Sequence, residues 1–378
     1  GARAFNLKEL SVTLPLNCLV VITGPSGSGK SSLLVDVVYR QVARSLGQSD
    51  VERPLAHDAV LGIEALRNVE LVDQSPLGRT SRGNAATYTK AWDTVRKVFA
   101  AQPEAQALGY TASHFSFNVA GGRCETCAGE GYETVEMQFL ADVALVCPVC
   151  GGRRFKEEVL SVLYKGRSIA DVLALTVAEA LRVFDDSTAI RRALRPLVAL
   201  GLAYLKLGQP LSTLSGGEAQ RIKVARALSN PEPGTLYILD EPSAGLHKDE
   251  IDLLLGALST LIRSGGSVMV VDHDLHLMSA AQHVIELGPG GGKDGGRLVF
   301  AGTVEELCQA HTRTGQAFRE SRNAALSGNP SPVRELAAAE LKVEGATEHT
   351  LKNVSVRVPH QQLTLVTGPS GSGKSTLA

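Results

Sequence analysis

Apolar and polar positions along this chain fall into two alternating periods. Leu19-Val20-Val21-Ile22-Thr23 reads as a short buried strand, and Val69-Glu70-Leu71-Val72-Asp73, Leu236-Tyr237-Ile238-Leu239 and Ser267-Val268-Met269-Val270-Val271 read as further strands. Between them the period lengthens to that of a helix. A helix can start at Ser32 and run through Val38, and another covers Trp92 to Phe99. Ile169, Val172, Leu173, Val177, Ala180, Leu181, Leu194, Leu197 and Val198 keep helical spacing through 168–208. One more helix opens at Ser215 and continues to about Leu228. Val135, Met137 and Phe139 alternate with Glu136 and Gln138, which predicts a strand with one covered face. A Gly-rich turn, Gly288 to Gly296, precedes a strand over Arg297–Phe300, and the Ser, Asn, Gly and Pro of 321–335 read as a linker. The fold class is α/β.

The pattern also repeats. Residues 7–33 (LKELSVTLPLNCLVVITGPSGSGKSSL) return as 351–377 (LKNVSVRVPHQQLTLVTGPSGSGKSTL), 344 positions later and without a gap. A repeat of that length is a duplicated domain rather than a solenoid period. Each copy reads as two strands leading into a glycine-rich loop. The second copy stops at Ala378 and the chain opens Gly-Ala-Arg-Ala-Phe without Met, so the natural protein is expected to continue.

At 378 residues the chain has room for two or more domains. Hydrophobic residues at 44% and charged residues at 20% are ordinary for a globular protein. A net charge of −1 announces no global basic field, so any nucleic-acid binding must use local patches. No apolar run approaches the roughly 18 residues of a membrane span, and no signal peptide is expected.

The candidate chemistry sits on the predicted strand ends. Gly24-Pro25-Ser26-Gly27-Ser28-Gly29-Lys30-Ser31 fits the phosphate-binding P-loop, between a strand and the helix that Ser32 opens. The glycines let backbone N–H groups close on phosphate oxygens, and the helix N-terminus adds its dipole. Lys30 reaches the β- and γ-phosphates and Ser31 holds Mg²⁺. Gly368, Gly371, Gly373, Lys374 and Ser375 repeat the motif in the second copy. Asp240 and Glu241 end one strand: Asp240 is placed in the Mg²⁺ shell, and Glu241 takes a proton from attacking water. Ser215, Gly216 and Gly217 open a second helix suited to a γ-phosphate, where Ser215 can equally be an N-cap with Glu218 closing a capping box. Gln74, at a strand end, is placed to watch Mg²⁺ and water, and His273 to contact the γ-phosphate.

Six cysteines change the picture further. Cys124 and Cys127 form one C-x-x-C pair and Cys147 and Cys150 another, with nineteen residues (128–146) between, the spacing of a four-cysteine zinc site. Gly129, Gly131, Gly151 and Gly152 supply the turns of a zinc-bound hairpin. Four thiolates leave no position for water, so the role is structural. Arg123, Arg153, Arg154 and Lys156 around the knuckles either face phosphates or form a solvated patch. The same two readings hold for Arg191, Arg192 and Arg195, whereas Arg79, Arg82 and Lys90 read as a solvated face. Cys18 and Cys308 read as inert packing thiols.

P-loop, Gln74, LSGGEAQR at 214–221, the Leu236–Glu241 strand and His273 follow the order of an ATP-binding-cassette (ABC) ATPase. Within that superfamily the chain resembles the UvrA family, the damage-sensing subunits of bacterial nucleotide excision repair. DQSPLGRTSRGNAATYT at 73–89, FSFNVAGGRCETCAGEGYETVEMQFL at 115–140, LSGGEAQRIKVARAL at 214–228 and LYILDEPSAGLH at 236–247 carry the likeness over nearly all of residues 1–310. The resemblance implies a P-loop NTPase of the ABC type with an inserted zinc module and a helical signature subdomain. It implies ATP, Mg²⁺ and Zn²⁺ as cofactors. It also implies a cytoplasmic homodimer that binds damaged double-stranded DNA, loads a UvrB-like protein and uses no membrane. It further implies ATP held between the P-loop of one cassette and the signature of another. Lys30, Ser31, Gln74, Asp240, Glu241 and His273 match its ATP-site positions, Ser215, Gly216 and Gly217 its signature, and the four paired cysteines its zinc ligands. A UvrA-like ATPase of drug self-resistance and a transporter subunit are the alternative readings; a DnaJ-type zinc module (C-x-x-C-x-G-x-G at 124–131) explains little of the chain. The expected division is 1–110, P-loop half of the core; 111–160, zinc insertion; 161–310, signature subdomain and remaining core; 311–340, linker; 341–378, start of a second cassette.

Overall fold

A computed structural model of the chain describes residues 1–75, 77, 82–135, 143–326, 340–348, 350–360, 363–368 and 371–378. The apolar runs pair mostly with strands distant in sequence. β1 (Leu19–Thr23), β2 (Asn68–Val72), β5 (Thr235–Asp240), β6 (Ser267–Val271) and β7 (His283–Gly288) lie parallel, and β8 (Arg297–Gly302) closes one edge antiparallel. The order across this sheet is β2-β5-β6-β1-β7-β8. β3 (Tyr132–Val135) and β4 (Val143–Val146) form a separate antiparallel hairpin.

β1 sits in the middle of the sheet and is buried along its whole length, as a strand covered on both faces must be. Its side chains alternate between two layers. Val20 and Ile22 pack with Leu33, Leu34, Val37 and Val38 of the helix that follows the P-loop. Leu19 and Val21 face the larger helical layer, with Trp92, Leu194, Ile222 and Leu254. The first helix runs with the wider π-type spacing over Ser32–Tyr39 and continues as an α-helix over Arg40–Ser45. The helical periodicity of 168–208 resolves into three helices, Ile169–Ala174, Val177–Val183 and Thr188–Ala199, the first two opened by capping boxes.

Three expectations change. In the first copy of the repeat, residues 7–17 form no strand; only an isolated Ala2–Leu10 bridge occurs there. In the second copy the outcome inverts. β9 (Glu340–Ala346) and β10 (Val354–Pro359) pair as a two-stranded sheet, while 363–368, the counterpart of β1, is not a strand and leaves Leu363 98% exposed. The physical reason is partnership: β1 is held between β6 and β7, and 363–368 has no such neighbours among the described residues. Third, the helix Arg313–Leu326 occupies the first part of the stretch read as a linker. The alternation at Val135, Glu136, Met137, Gln138 and Phe139 falls largely outside the described residues, as does Arg79.

Candidate nucleotide site and metal centre

Every motif segment of the core leaves the sheet at the same edge. The P-loop follows β1, Asp73-Gln74 follows β2, Asp240-Glu241 ends β5, Asp272-His273 follows β6 and the Gly-rich turn follows β7. In a parallel sheet this carboxyl edge is where ligands bind.

The P-loop has a shape that side chains would destroy. Gly24 takes φ +133°, and a Cβ there would lie 2.0 Å from the Leu287 carbonyl oxygen. Gly29, at φ +100°, would meet the Leu7 side chain at 2.6 Å. The loop is held from outside as well. Gly292 N–H donates to the Gly27 carbonyl (2.9 Å), Gly296 N–H to that of Ser28 (3.0 Å), and the Asn6 amide to that of Gly27 (2.8 Å). The turn at 288–296 is therefore a buttress of the P-loop, and Asn6 a residue that sequence reasoning missed.

Lys30 donates to the Gly24 and Pro25 carbonyls, each at 2.9 Å. Burial pushes its ammonium below the ordinary value, and the charges of Glu241 and Asp240 pull it back. Burial also raises the Asp240 carboxyl, and the Glu241 charge raises it further, while a 3.3 Å hydrogen bond from the Ser31 hydroxyl opposes both. A desolvated carboxylate beside a hydroxyl and a second carboxylate fits a hard divalent cation such as Mg²⁺. Glu241 holds φ +47°, a left-handed conformation that costs a non-glycine residue of order 1–3 kcal/mol. Its N–H donates to the Val271 carbonyl at 2.8 Å.

Residues that motif reading passed over fix these groups. Asp272, 1% exposed, accepts from the Ser243 N–H and hydroxyl and from the N–H groups of His273 and Asp274. It ties the turn after Glu241 to the turn that carries His273, whose own side chain is exposed. Buried Gln220 donates to the Asp240 carbonyl at 2.7 Å. Lys223, one turn further along the signature helix (Gly216–Ser229), donates to Asp73 and Ser75 on either side of exposed Gln74: to the Asp73 carbonyl (2.8 Å) and carboxylate, and to the Ser75 carbonyl (2.9 Å) and hydroxyl (3.0 Å). Burial works against ionisation of Asp73, but the bonds from Lys223 and Ser75 hold its carboxyl below the ordinary range. Lys223→Met should leave the signature helix intact and free the Gln74 turn. We expect nucleotide affinity within about threefold of wild type and turnover lower by about 10- to 100-fold, with Lys223→Arg in between. Wild-type turnover in both variants would remove this tie from catalysis. The linkage to stability has a definite sign: with the folded value depressed, Asp73's contribution is complete above the ordinary carboxylate range and lost as pH falls through the depressed value.

Ser215 is the N-cap of the signature helix in a full capping box with Glu218. It does not join the Lys30–Glu241 group. Ser215, Gly217 and Glu218 instead share a cleft of about 520 Å³ with Gly371, Gly373 and Lys374 of the second P-loop. Lys374 there donates to the Gly368 carbonyl at 2.6 Å, as Lys30 does to that of Gly24. The side chain of Ser375, with Pro369 and Ser370, lies outside the described residues.

The four paired cysteines converge. Cys124 and Cys147 sulfurs are 3.9 Å apart and those of Cys127 and Cys150 3.7 Å, and all four lie within 4.8 Å of one another. Four sulfurs at about 2.3 Å from a tetrahedral zinc stand about 3.8 Å apart, so the set fits Zn²⁺ and is closed to solvent, each cysteine being buried. Burial pushes the Cys127 thiol up to about 12. At Cys124 burial acts the same way, but N–H donors and the neighbouring thiols outweigh it and bring the group down to about 7. The surrounding cations are engaged with the protein. Arg154 is buried over the Phe117 ring, Arg153 pairs with Glu157, Lys156 with Glu125, and Arg123 donates to the Asn118 carbonyl. Arg82 pairs with Glu130.

Comparison with known proteins agrees with this geometry. A family model described as ABC transporter matches residues 153–244. UvrABC system protein A of Methanothermobacter thermautotrophicus is 48% identical over 321 residues, which is 85% of this chain and 33% of that protein. The Aquifex aeolicus protein of the same name is 49% identical over 84% of this chain and 35% of its own length. The crystal structure of UvrA2 from Deinococcus radiodurans superposes with a TM-score of 0.76 at 46% identity, covering 84% of this chain and 38% of that one. The chain is similar to UvrA proteins over 84–85% of its length. The fold is that of a UvrA-type ABC ATPase, with the four-cysteine cluster inserted between P-loop and signature. The chain spans about a third of the length of the UvrA relatives it matches. No described helix is long and apolar enough to cross a membrane.

Proposed function

We propose that this chain is the ATPase cassette of a UvrA-type protein that couples ATP hydrolysis to engagement of damaged double-stranded DNA in nucleotide excision repair. The observation that carries the reading is the convergence of Lys30, Ser31, Asp240 and Glu241 on one sheet edge in a chain that also holds a closed four-cysteine cluster.

The P-loop N–H groups from Gly24 to Gly29, with Pro25, Ser26 and Ser28, cradle the phosphates of ATP, and Ser32 opens the helix whose dipole points at them. Lys30 binds the β- and γ-phosphates. Ser31 and Asp240 would hold Mg²⁺, which offsets phosphate charge when bound. Gln74 orients the attacking water. Glu241 takes its proton as the water oxygen bonds to the γ-phosphorus; the bond to the β-phosphate oxygen breaks and ADP leaves. His273 contacts the γ-phosphate. Ser215, Gly216 and Gly217 meet the phosphates of a nucleotide on Gly368, Gly371, Gly373, Lys374 and Ser375, so one chain supplies both walls of that site. Cys124, Cys127, Cys147 and Cys150 would hold zinc as a structural ion. The division into core halves, zinc insertion, signature subdomain and second cassette goes with this reading, as do a homodimer, a UvrB-like partner and a cytoplasmic location.

The test is the ATPase rate of the full-length parent protein with damaged duplex, intact duplex and no DNA. Different rates on the two duplexes support damage sensing; a rate indifferent to all DNA removes the repair function and leaves the cassette. Affinity for duplex should fall linearly in log–log plots against salt, because each neutralised phosphate releases counterions with a slope near −0.9 per contact. A flat plot would argue against phosphate contacts.

A further inference from the structure

Away from the nucleotide site and the cysteine cluster, a groove of about 780 Å³ runs between the helices Thr188–Ala199 and Lys248–Arg263. Its floor is apolar: Pro196, Leu228, Leu253 and Ala257, with Leu253 40% exposed. Arg192 and Arg195 stand on one wall. Their neighbour Arg191 donates to the Asp185 carbonyl, but Arg192 and Arg195 make no ion pair or hydrogen bond with any described residue. On the opposite wall Asp252 is engaged with His276 at 2.6 Å and leaves the arginines unmatched.

One sequence choice keeps this space open at the expense of a helix that lines it, and a second weakens the facing helix. Gly256 sits inside the helix Lys248–Arg263, where glycine weakens the structure, yet a Cβ at that position would meet no atom within 4 Å. No packing demand accounts for it. Pro196 lies inside the helix Thr188–Ala199, where it withholds the N–H that the Arg192 carbonyl would otherwise receive.

We propose that this groove docks an acidic segment of a partner protein. One or two leucine-sized side chains fill the floor, and carboxylates meet Arg192 and Arg195. Charge complementarity selects the occupant. Arginine forks bind carboxylates bidentately and are enriched at the centre of protein interfaces. A nucleic-acid backbone fits less well: a phosphodiester has nothing to bury on Leu228, Leu253 and Ala257. The chain's net charge of −1 also makes the arginine pair a local feature rather than part of a basic field.

The test is selection of a displayed library of 12-residue peptides on the wild-type chain, followed by anisotropy titration of the enriched peptides. Enrichment of peptides with two or more Asp or Glu within a helical turn of Leu, Ile or Phe is expected. Their affinity should drop at least tenfold in R192E/R195E and also in Gly256→Leu, which fills the groove without altering charge. Gly256→Ala reports that the helix tolerates a side chain at that position. A pool without acidic residues, or equal binding to wild type and both variants, would overturn the proposal. So would a loss of duplex DNA affinity as large as the peptide loss in R192E/R195E, which assigns the groove to nucleic acid. Self-association abolished by the same charge reversal would assign it to a second copy of the chain and overturn it as well.

Discussion

Glu241→Gln is expected to bind nucleotide as wild type does and to turn it over about 100- to 1,000-fold more slowly, the range a general base contributes. The substitution keeps size and hydrogen-bonding capacity and removes only the proton acceptor. Asp240, Ser31 and Lys30 stay in place, so affinity for ATP should move by no more than a few fold. Glu241 also holds a left-handed backbone at φ +47°, fixed by its N–H bond to the Val271 carbonyl. That strain gives the prediction a second arm. Glu241→Gly relieves it and should raise thermal stability by about 1 kcal/mol while turnover falls as far as in the Gln variant. Turnover and stability falling together would mean that Glu241 supports the fold rather than the chemistry. Turnover unchanged in Glu241→Gln would remove it from the proton-transfer role.

Removal of the metal from the cysteine cluster is expected to have the other large effect. Zinc held by four thiolates contributes of order 10 kcal/mol to the folding of the small module around it. Little else secures the hairpin of this module: Val143–Val146 are exposed along their length, and the four cysteines form their own small core apart from the two main ones. One zinc per chain should be found by elemental analysis. Cobalt exchanged into the site should give the absorption of tetrahedral thiolate coordination. Cys147→Ser, at a position with no exposed surface, should lose the metal, melt the hairpin and weaken binding to damaged duplex at least tenfold. ATP turnover in the absence of DNA should stay within about twofold, because no cysteine touches the Lys30–Glu241 group. A metal content well below one per chain would defeat the assignment outright. Loss of basal turnover in Cys147→Ser would make the module part of the core rather than an insertion.

The sequence alone was sufficient wherever a function is encoded by local geometry. The P-loop needs Gly24 and Gly29 at backbone angles and close approaches that no other residue meets, so its glycines could be read directly. Two C-x-x-C knuckles nineteen residues apart could be read as one cluster for the same reason: each knuckle presents its sulfurs from a tight local turn. Three buried strands, β1, β5 and β6, announced themselves as apolar runs, since a strand covered on both faces cannot alternate; β7, which carries the buried Glu286, did not. Other features depend on partners far away in the chain, and only the tertiary structure decided them. The β1 sequence and its counterpart at 363–367 are similarly apolar, yet only β1 is a strand, because β6 and β7 are there to pair with it. Arg154 reads as a surface cation beside the knuckles, but the Phe117 ring draws it inside. Asp272, Gln220, Lys223 and Asn6 carry no motif signature, because each acts by reaching a carbonyl or carboxylate that the fold brings to it from a distant segment. The signature serine was legible as a cap from Ser215 and Glu218 alone. Its placement opposite the second P-loop was not, since that follows from how two copies of a repeat pack in space rather than from the residues of either.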